Sequence, residues 1–226
     1  MFGGKKITKE RAKKIQCILR QYCSLSNWEK INTDPFETLI KTIISQNTND
    51  LNTERAFENL SEKFGITPKK LSELETSEIE KTLKVAGLYK SKANSIIETA
   101  KTIHHKYDDS IEQILSLPLE EARKTLIEFK GIGPKTADVV LLFSAQRPTF
   151  PVDTHVNRVA KRLGFAPVDG DYESVRKSLQ ELFEPSSYLE MHLLLICHGR
   201  WTCKARSPDC DICPINEICP TKGQWN

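Results

Sequence analysis

Apolar residues recur at intervals of three and four along almost the whole chain. Phe36, Leu39, Ile40, Ile43 and Ile44 form one such stripe, and Ile96, Ile97, Ala100 and Ile103 another. This spacing puts them on one face of a 3.6-residue helix. The strict alternation that marks strands is nearly absent. Helix punctuation agrees with the periodicity. In Asp34-Pro35-Phe36-Glu37 the aspartate suits an N-cap, the proline the first helical position, and the glutamate the capping-box place. Gly87 and Gly164 stand where helices should stop. The pattern predicts an all-α fold of about ten helices joined by short connectors, with no fixed-period repeat.

One stretch breaks the pattern. In Arg147-Pro148-Thr149-Phe150-Pro151-Val152 each proline biases its predecessor away from helix, so the segment reads as an extended linker between two lobes. The tail after Cys203 has little apolar periodicity and holds Pro208, Pro214 and Pro220. It has no core of its own, and something else must hold it.

Composition narrows the class. With 38% hydrophobic and 28% charged residues over 226 positions, one large or two modest packed cores are within reach. The longest uninterrupted apolar runs, Val139 to Phe143 and Leu193 to Cys197, fall far short of the roughly 20 residues that cross a bilayer. Met1 to Lys6 carries basic residues with no apolar segment behind them, unlike a secretory signal. The expectation is a soluble protein of the cytoplasm. Net charge is only +3, so a polyanionic partner would have to be met by a local patch.

Four of the seven cysteines crowd into the tail as Cys203-x6-Cys210-x2-Cys213-x5-Cys219. Four soft thiolates within one short loop favour a metal centre over disulfides. A zinc ribbon normally shows two CxxC pairs, and only one is present, so the spacing favours a [4Fe–4S] cluster with zinc as the alternative. Four thiolates leave such a cluster no open iron site, which makes it a structural staple. Lys204 and Arg206, between the first two ligands, would be pre-ordered cations suited to successive phosphates, or would offset the cluster's own negative charge. Cys17, Cys23 and Cys197 show no such spacing, and Cys197, inside an apolar helical run, reads as a simple buried thiol.

Phe129-Lys130-Gly131-Ile132-Gly133-Pro134-Lys135-Thr136-Ala137 joins two helices by a turn with two glycines. Gly131 and Gly133 permit unusual backbone angles and, lacking side chains, let amide N–H groups meet a phosphate at the next helix's N-terminus. With Ile132 they form a hairpin that would grip a backbone without reading sequence. Lys135 falls in the first turn of the following helix, where the macrodipole disfavours positive charge and favours the neutral, nucleophilic amine. Eighteen residues on, in Val152-Asp153-Thr154-His155, Asp153 stands at a helix start, where an N-cap role alone would account for it. Together, an amine and a fixed carboxylate suit attack on an anomeric carbon, whose developing positive charge the carboxylate stabilises.

The hairpin with its lysine, the Val-Asp-Thr-His segment and the cysteine spacing together resemble the endonuclease III family of helix-hairpin-helix DNA glycosylases. Leu193 to Arg206 is similar to that family's approach to its cluster, and Gly87-Leu88-Tyr89-Lys90-Ser91-Lys92-Ala93 to a DNA-facing loop. The resemblance implies two helical lobes flanking a DNA-binding cleft: a six-helix lobe at residues 27–147 that ends in the helix-hairpin-helix, and a helical lobe of residues 1–26 with 148–226, the cluster loop lying at 203–219. It implies a glycosylase with abasic-site lyase activity on damaged pyrimidines in double-stranded DNA, working as a monomer. Lys135 would be the Schiff-base lysine, Asp153 the catalytic aspartate, and Leu88 a residue wedged into the duplex while the damaged nucleotide turns out; otherwise Leu88 is a core leucine. Bacterial members read Ser-Ala-Gln-Ala-Thr-Asp near the pocket, where this chain has Ser45-Gln46-Asn47-Thr48-Asn49-Asp50, closer to archaeal members. Gln46 and Asn47 are both candidates to fill the hole left by the flipped base or to contact its orphaned partner.

Other members of the fold fit less well. Adenine-specific mismatch glycosylases lack a lysine at this hairpin position, and monofunctional thymine or uracil mismatch glycosylases usually do. A non-enzymatic DNA-binding or redox-sensing module would need neither Lys135 nor Asp153.

Overall fold

The computed structural model describes residues 7–25 and 34–224. The reading of Met1 to Lys6 and the lobe boundary expected at 26/27 lie outside them. Among the described residues there is no strand, and the fold is all-α. The chain divides into two compact units, residues 32–147 and residues 1–31 with 148–226. No described helix is long and apolar enough to cross a membrane.

The first unit holds α2 (Pro35–Ser45), α3 (Asp50–Phe64), α4 (Pro68–Ser72), α5 (Thr76–Leu83), α6 (Tyr89–Lys106), α7 (Glu112–Leu115), α8 (Leu119–Ile127) and α9 (Pro134–Phe143). The stripe read from α2 is its buried face: Leu39, Ile40, Ile43 and Ile44 are fully buried in one core with Ile96, Ala100 and Ile103 of α6 and Val140 and Leu141 of α9. Asp34 caps α2, its Oδ1 accepting from the Glu37 N–H at 2.9 Å, with Pro35 at the first helical position. Arg147, at the unit's end, donates to the carbonyls of Leu115 and Leu117.

The second unit holds α1 (Lys9–Tyr22), α10 (Thr154–Leu163), α11 (Tyr172–Leu182) and α12 (Tyr188–Trp201), followed by the cysteine tail. α12 is buried nearly all round and forms the centre, packing against both α1 and α10. Glu190 of α12 accepts from Gln16 at 2.7 Å and takes both prongs of Arg20, which fixes α1 in place. Residues 148–153 form a non-helical connection with a bend at Pro148, in line with the break in helix that their prolines predict. They are tied to this unit by Gln180 Nε2 donating to the Pro148 carbonyl and by a 3.0 Å contact from buried His192 Nδ1 to the Pro151 carbonyl.

The cysteines outside the tail correct the sequence-based expectation. Cys23, the residue after α1, and Cys197, in α12, are joined in a disulfide. Cys197 is half-buried and bonded, not a buried free thiol. Spacing carried no hint of this, because the two residues are 174 positions apart and meet only through the packing of α1 on α12. Cys17 is exposed and free.

Candidate functional site

The glycine hairpin lies between α8 and α9. Gly131 takes φ +79°, in the left-handed region, and a Cβ there would meet the Ser95 hydroxyl at 2.3 Å and the Ser95 Cβ at 3.0 Å. Conformation and crowding both demand glycine. Gly133 differs. Its φ is −97°, and a Cβ would meet nothing within 4 Å, so space stands open in front of the backbone at the N-cap of α9. Ile132 between them is buried in the core and anchors the turn. Pro134 takes the first helical position and Lys135 the second, where its side chain is exposed. Three residues on, Asp138 is fully buried and receives both Nε and Nη2 of Arg123 in α8, at 2.9 and 3.1 Å. This pair braces the two helices of the hairpin, and the helical periodicity gave no sign of it.

Gln46, at the C-cap of α2, donates from its side-chain amide to the Gly131 carbonyl at 2.9 Å, so it is committed to the hairpin. Asn47 is exposed at φ +53°, and Asn49 caps α3. Leu88 is no core leucine: it is 61% exposed, in the left-handed region at φ +45°, directly after Gly87 at φ +63°.

In the second unit Asp153 caps α10, its Oδ1 accepting from the Val156 N–H at 2.7 Å. The helix N-terminus thereby holds the Asp153 side chain, half-buried, at a fixed place.

The four tail cysteines are free and half-buried, and all line one cavity with Arg162, Leu163, His198 and Ile215. Among the described residues no group of three or more His, Cys, Asp or Glu side chains closes around a single point. Four soft thiols about a shared cavity fit a cluster. So does the charge: Arg162 Nη1 lies 3.4 Å from Cys203 Sγ, where it would offset thiolate charge. Without a bound cation, burial pushes the Cys213 thiol up to about 11 and raises that of Cys203. Burial also drives His198 down to about 4, so its imidazole is neutral beside Cys213 Sγ, 4.0 Å away.

What holds the tail is a set of arginines donating to its carbonyls. Arg162 donates to Lys204 and Ala205, Arg158 to Gly199 and Cys203, and Arg11 of α1 to Ile218. None was singled out from the sequence, since basic residues in these helices read as ordinary surface charges. Of the two loop cations, Lys204 is paired with Asp209 at 2.7 Å, and Arg206 is exposed.

Comparison with known proteins places this architecture. Residues 40–185 match the HhH-GPD superfamily of base excision DNA repair proteins, and residues 203–219 match the iron–sulfur binding domain of endonuclease III. Endonuclease III of Sulfolobus acidocaldarius is 38% identical over 185 residues, 81% of each chain. That of Escherichia coli is 33% identical over 214 residues, 94% of this chain and 97% of the other. A solved structure of a trapped endonuclease III–DNA covalent intermediate superposes with a TM-score of 0.83 at 29% identity, covering 96% of this chain and 98% of that one. The chain belongs to the endonuclease III family of the HhH-GPD superfamily, and its cofactor is a [4Fe–4S] cluster.

Proposed function

We propose that the chain is a bifunctional DNA glycosylase and abasic-site lyase of base excision repair. It removes oxidised or damaged pyrimidines from double-stranded chromosomal DNA, as a monomer in the cytoplasm. The observation that carries this reading is Lys135. An exposed lysine in the first turn of α9, immediately behind the open N-cap at Gly133, has no packing role and stands where a backbone phosphate would be gripped.

The Nζ of Lys135 attacks C1′ of the extruded nucleotide, and the C1′–N bond breaks with its electron pair leaving on the base. Asp153, whose side chain caps the start of α10, stabilises the positive charge that develops on the sugar and takes up the proton that the amine releases. The second amine proton passes to O4′ as the C1′–O4′ bond breaks, giving an imine between Nζ and C1′ and a free 4′ hydroxyl. Removal of a C2′ proton then expels the 3′ phosphate by breaking the C3′–O bond, and water hydrolyses the imine to return the free lysine.

Gly131, Ile132 and Gly133 hold the strand through backbone amides, and Leu88 enters the duplex in place of the extruded nucleotide. Gln46 braces the hairpin, and the exposed Asn47 beside it fills the hole left by the base or contacts its orphaned partner. Cys203, Cys210, Cys213 and Cys219 hold the [4Fe–4S] cluster, which stiffens the loop carrying Lys204 and Arg206. The cluster supplies shape and takes no part in bond breaking.

Borohydride reduction on abasic-site DNA tests this. The wild-type protein is expected to form a covalent adduct, and Lys135→Ala none while keeping DNA binding. A folded wild-type protein that yields no adduct overturns the lyase reading and leaves a binder.

A further inference from the structure

Leu88 sits in a conformation that its own side chain does nothing to stabilise. At φ +45° and ψ +28° it lies in the left-handed region, costly for a residue with a Cβ, and its side chain is 61% exposed. Such backbone persists only where its surroundings impose it. Here the imposing residue is Lys92. Its backbone N–H donates to the Leu88 carbonyl at 3.1 Å, beginning α6. Its side chain, only 3% exposed, folds back so that the ammonium donates to the Ala86 carbonyl at 2.7 Å. One residue thus holds the carbonyls on either side of Gly87, whose φ of +63° and empty surroundings let it span the gap.

A buried ammonium is an expensive way to stabilise a helix. Burial pulls the Lys92 ammonium below its ordinary value, and Ala86 is the one hydrogen-bond partner of that ammonium among the described residues. An apolar side chain at this position, like Ala93 and Ile96 beside it, would pack α6 without that cost. What an apolar residue cannot do is fix the carbonyl of Ala86.

We propose that Lys92 is a positioning residue for base extrusion: it clamps the Ala86–Leu88 turn so that Leu88 is presented to the duplex already in its inserting conformation. The inference rests on the reading of Leu88 as the wedge. Pre-ordering the turn removes the cost of ordering it at the moment of insertion.

The test uses the intact, cluster-loaded protein with an oxidised-pyrimidine duplex carrying 2-aminopurine beside the lesion, whose fluorescence reports extrusion. Borohydride trapping on a single-stranded abasic oligonucleotide, which needs no wedge, is the second readout. Lys92→Met is expected to slow extrusion about tenfold, the lower end of what releasing one imposed left-handed residue would give. Single-stranded trapping should be unaffected. Leu88→Ala should show the same defect, and the double variant should be no slower than Leu88→Ala, because both act through one element. Wild-type extrusion in Lys92→Met, an equal loss of single-stranded trapping, or multiplied losses in the double variant would overturn the proposal. A wild-type-like Leu88→Ala instead overturns the wedge reading beneath it. Should Lys92→Met lose its helical content, Lys92→Leu, which also lacks a donor for the Ala86 carbonyl, carries the same comparison.

Discussion

Arg123 and Asp138 form a buried two-pronged ion pair that joins α8 to α9 across the glycine hairpin. The carboxylate is fully buried and the guanidinium side chain is 9% exposed, so the two charges face each other away from solvent. Breaking a buried pair by removing one partner typically costs about 3–5 kcal/mol. Arg123→Met and Asp138→Ala should each lower unfolding stability by roughly that amount in denaturant titrations. Lys135 is one helical turn before Asp138, so the same variants should also slow Schiff-base formation on abasic DNA under conditions where they remain folded. Stability near wild type in Arg123→Met would show that the pair is dispensable to the hairpin.

The Cys23–Cys197 disulfide closes a loop with a sequence separation of 174 residues. In the chain-entropy picture a closure of that length restricts the unfolded chain by about 5 kcal/mol. The melting temperature of the wild-type protein should therefore fall on treatment with a phosphine reductant. Cys23→Ser/Cys197→Ser should start lower and show no such response. Equal melting temperatures with and without reductant would remove the disulfide from any account of stability.

The sequence was most legible where a residue acts through its own backbone or its near neighbours. The N-caps at Asp34 and Asp153, the stops at Gly87 and Gly164, and the stripes of α2 and α6 are local consequences of spacing. Exposure was also out of reach: periodicity left Leu88 open between surface and core, and only the turn at Gly87 settles it. What stayed hidden are long-range pairs. Arg162 reaches the cysteine loop 42 residues away, and Cys23 reaches Cys197 only after α1 has packed on α12. No periodicity encodes such meetings, because each partner alone fits a plainer role.

The Arg20–Glu190 contact predicts how the second unit responds to acid. The Glu190 carboxyl is held below its ordinary value near 4.5, first by the hydrogen bond from Arg20, against the opposing effect of burial and with help from Gln16. A carboxyl with a depressed folded-state pKa adds stability above its unfolded value and loses it as pH falls through the folded value. Glu190→Gln should therefore melt below wild type at neutral pH, and the gap should close as pH drops below about 4.5. A gap that stays constant between pH 7 and pH 3 would assign the effect of Glu190 to packing. Arg20 is more than half exposed, and the neutral-pH gap should shrink in high salt.

The two hairpin glycines should separate folding from binding. Gly131→Ala forces a left-handed alanine and drives a methyl against Ser95; the hydroxyl can rotate away, but the Ser95 Cβ at 3.0 Å cannot. A loss of about 1–3 kcal/mol in stability is expected, from strain and overpacking together. Gly133→Ala meets nothing and needs no unusual angle, so its stability should be within about 1 kcal/mol of wild type. Its methyl would occupy the open space before the N-cap of α9, where a phosphate is proposed to approach the amides. Duplex affinity, measured by fluorescence anisotropy at fixed salt, should fall about tenfold or more for Gly133→Ala, as expected when a charge-assisted backbone contact is displaced. If Gly133→Ala binds as tightly as wild type, the phosphate does not approach the hairpin there, and glycine at this position marks only the tightness of the connector.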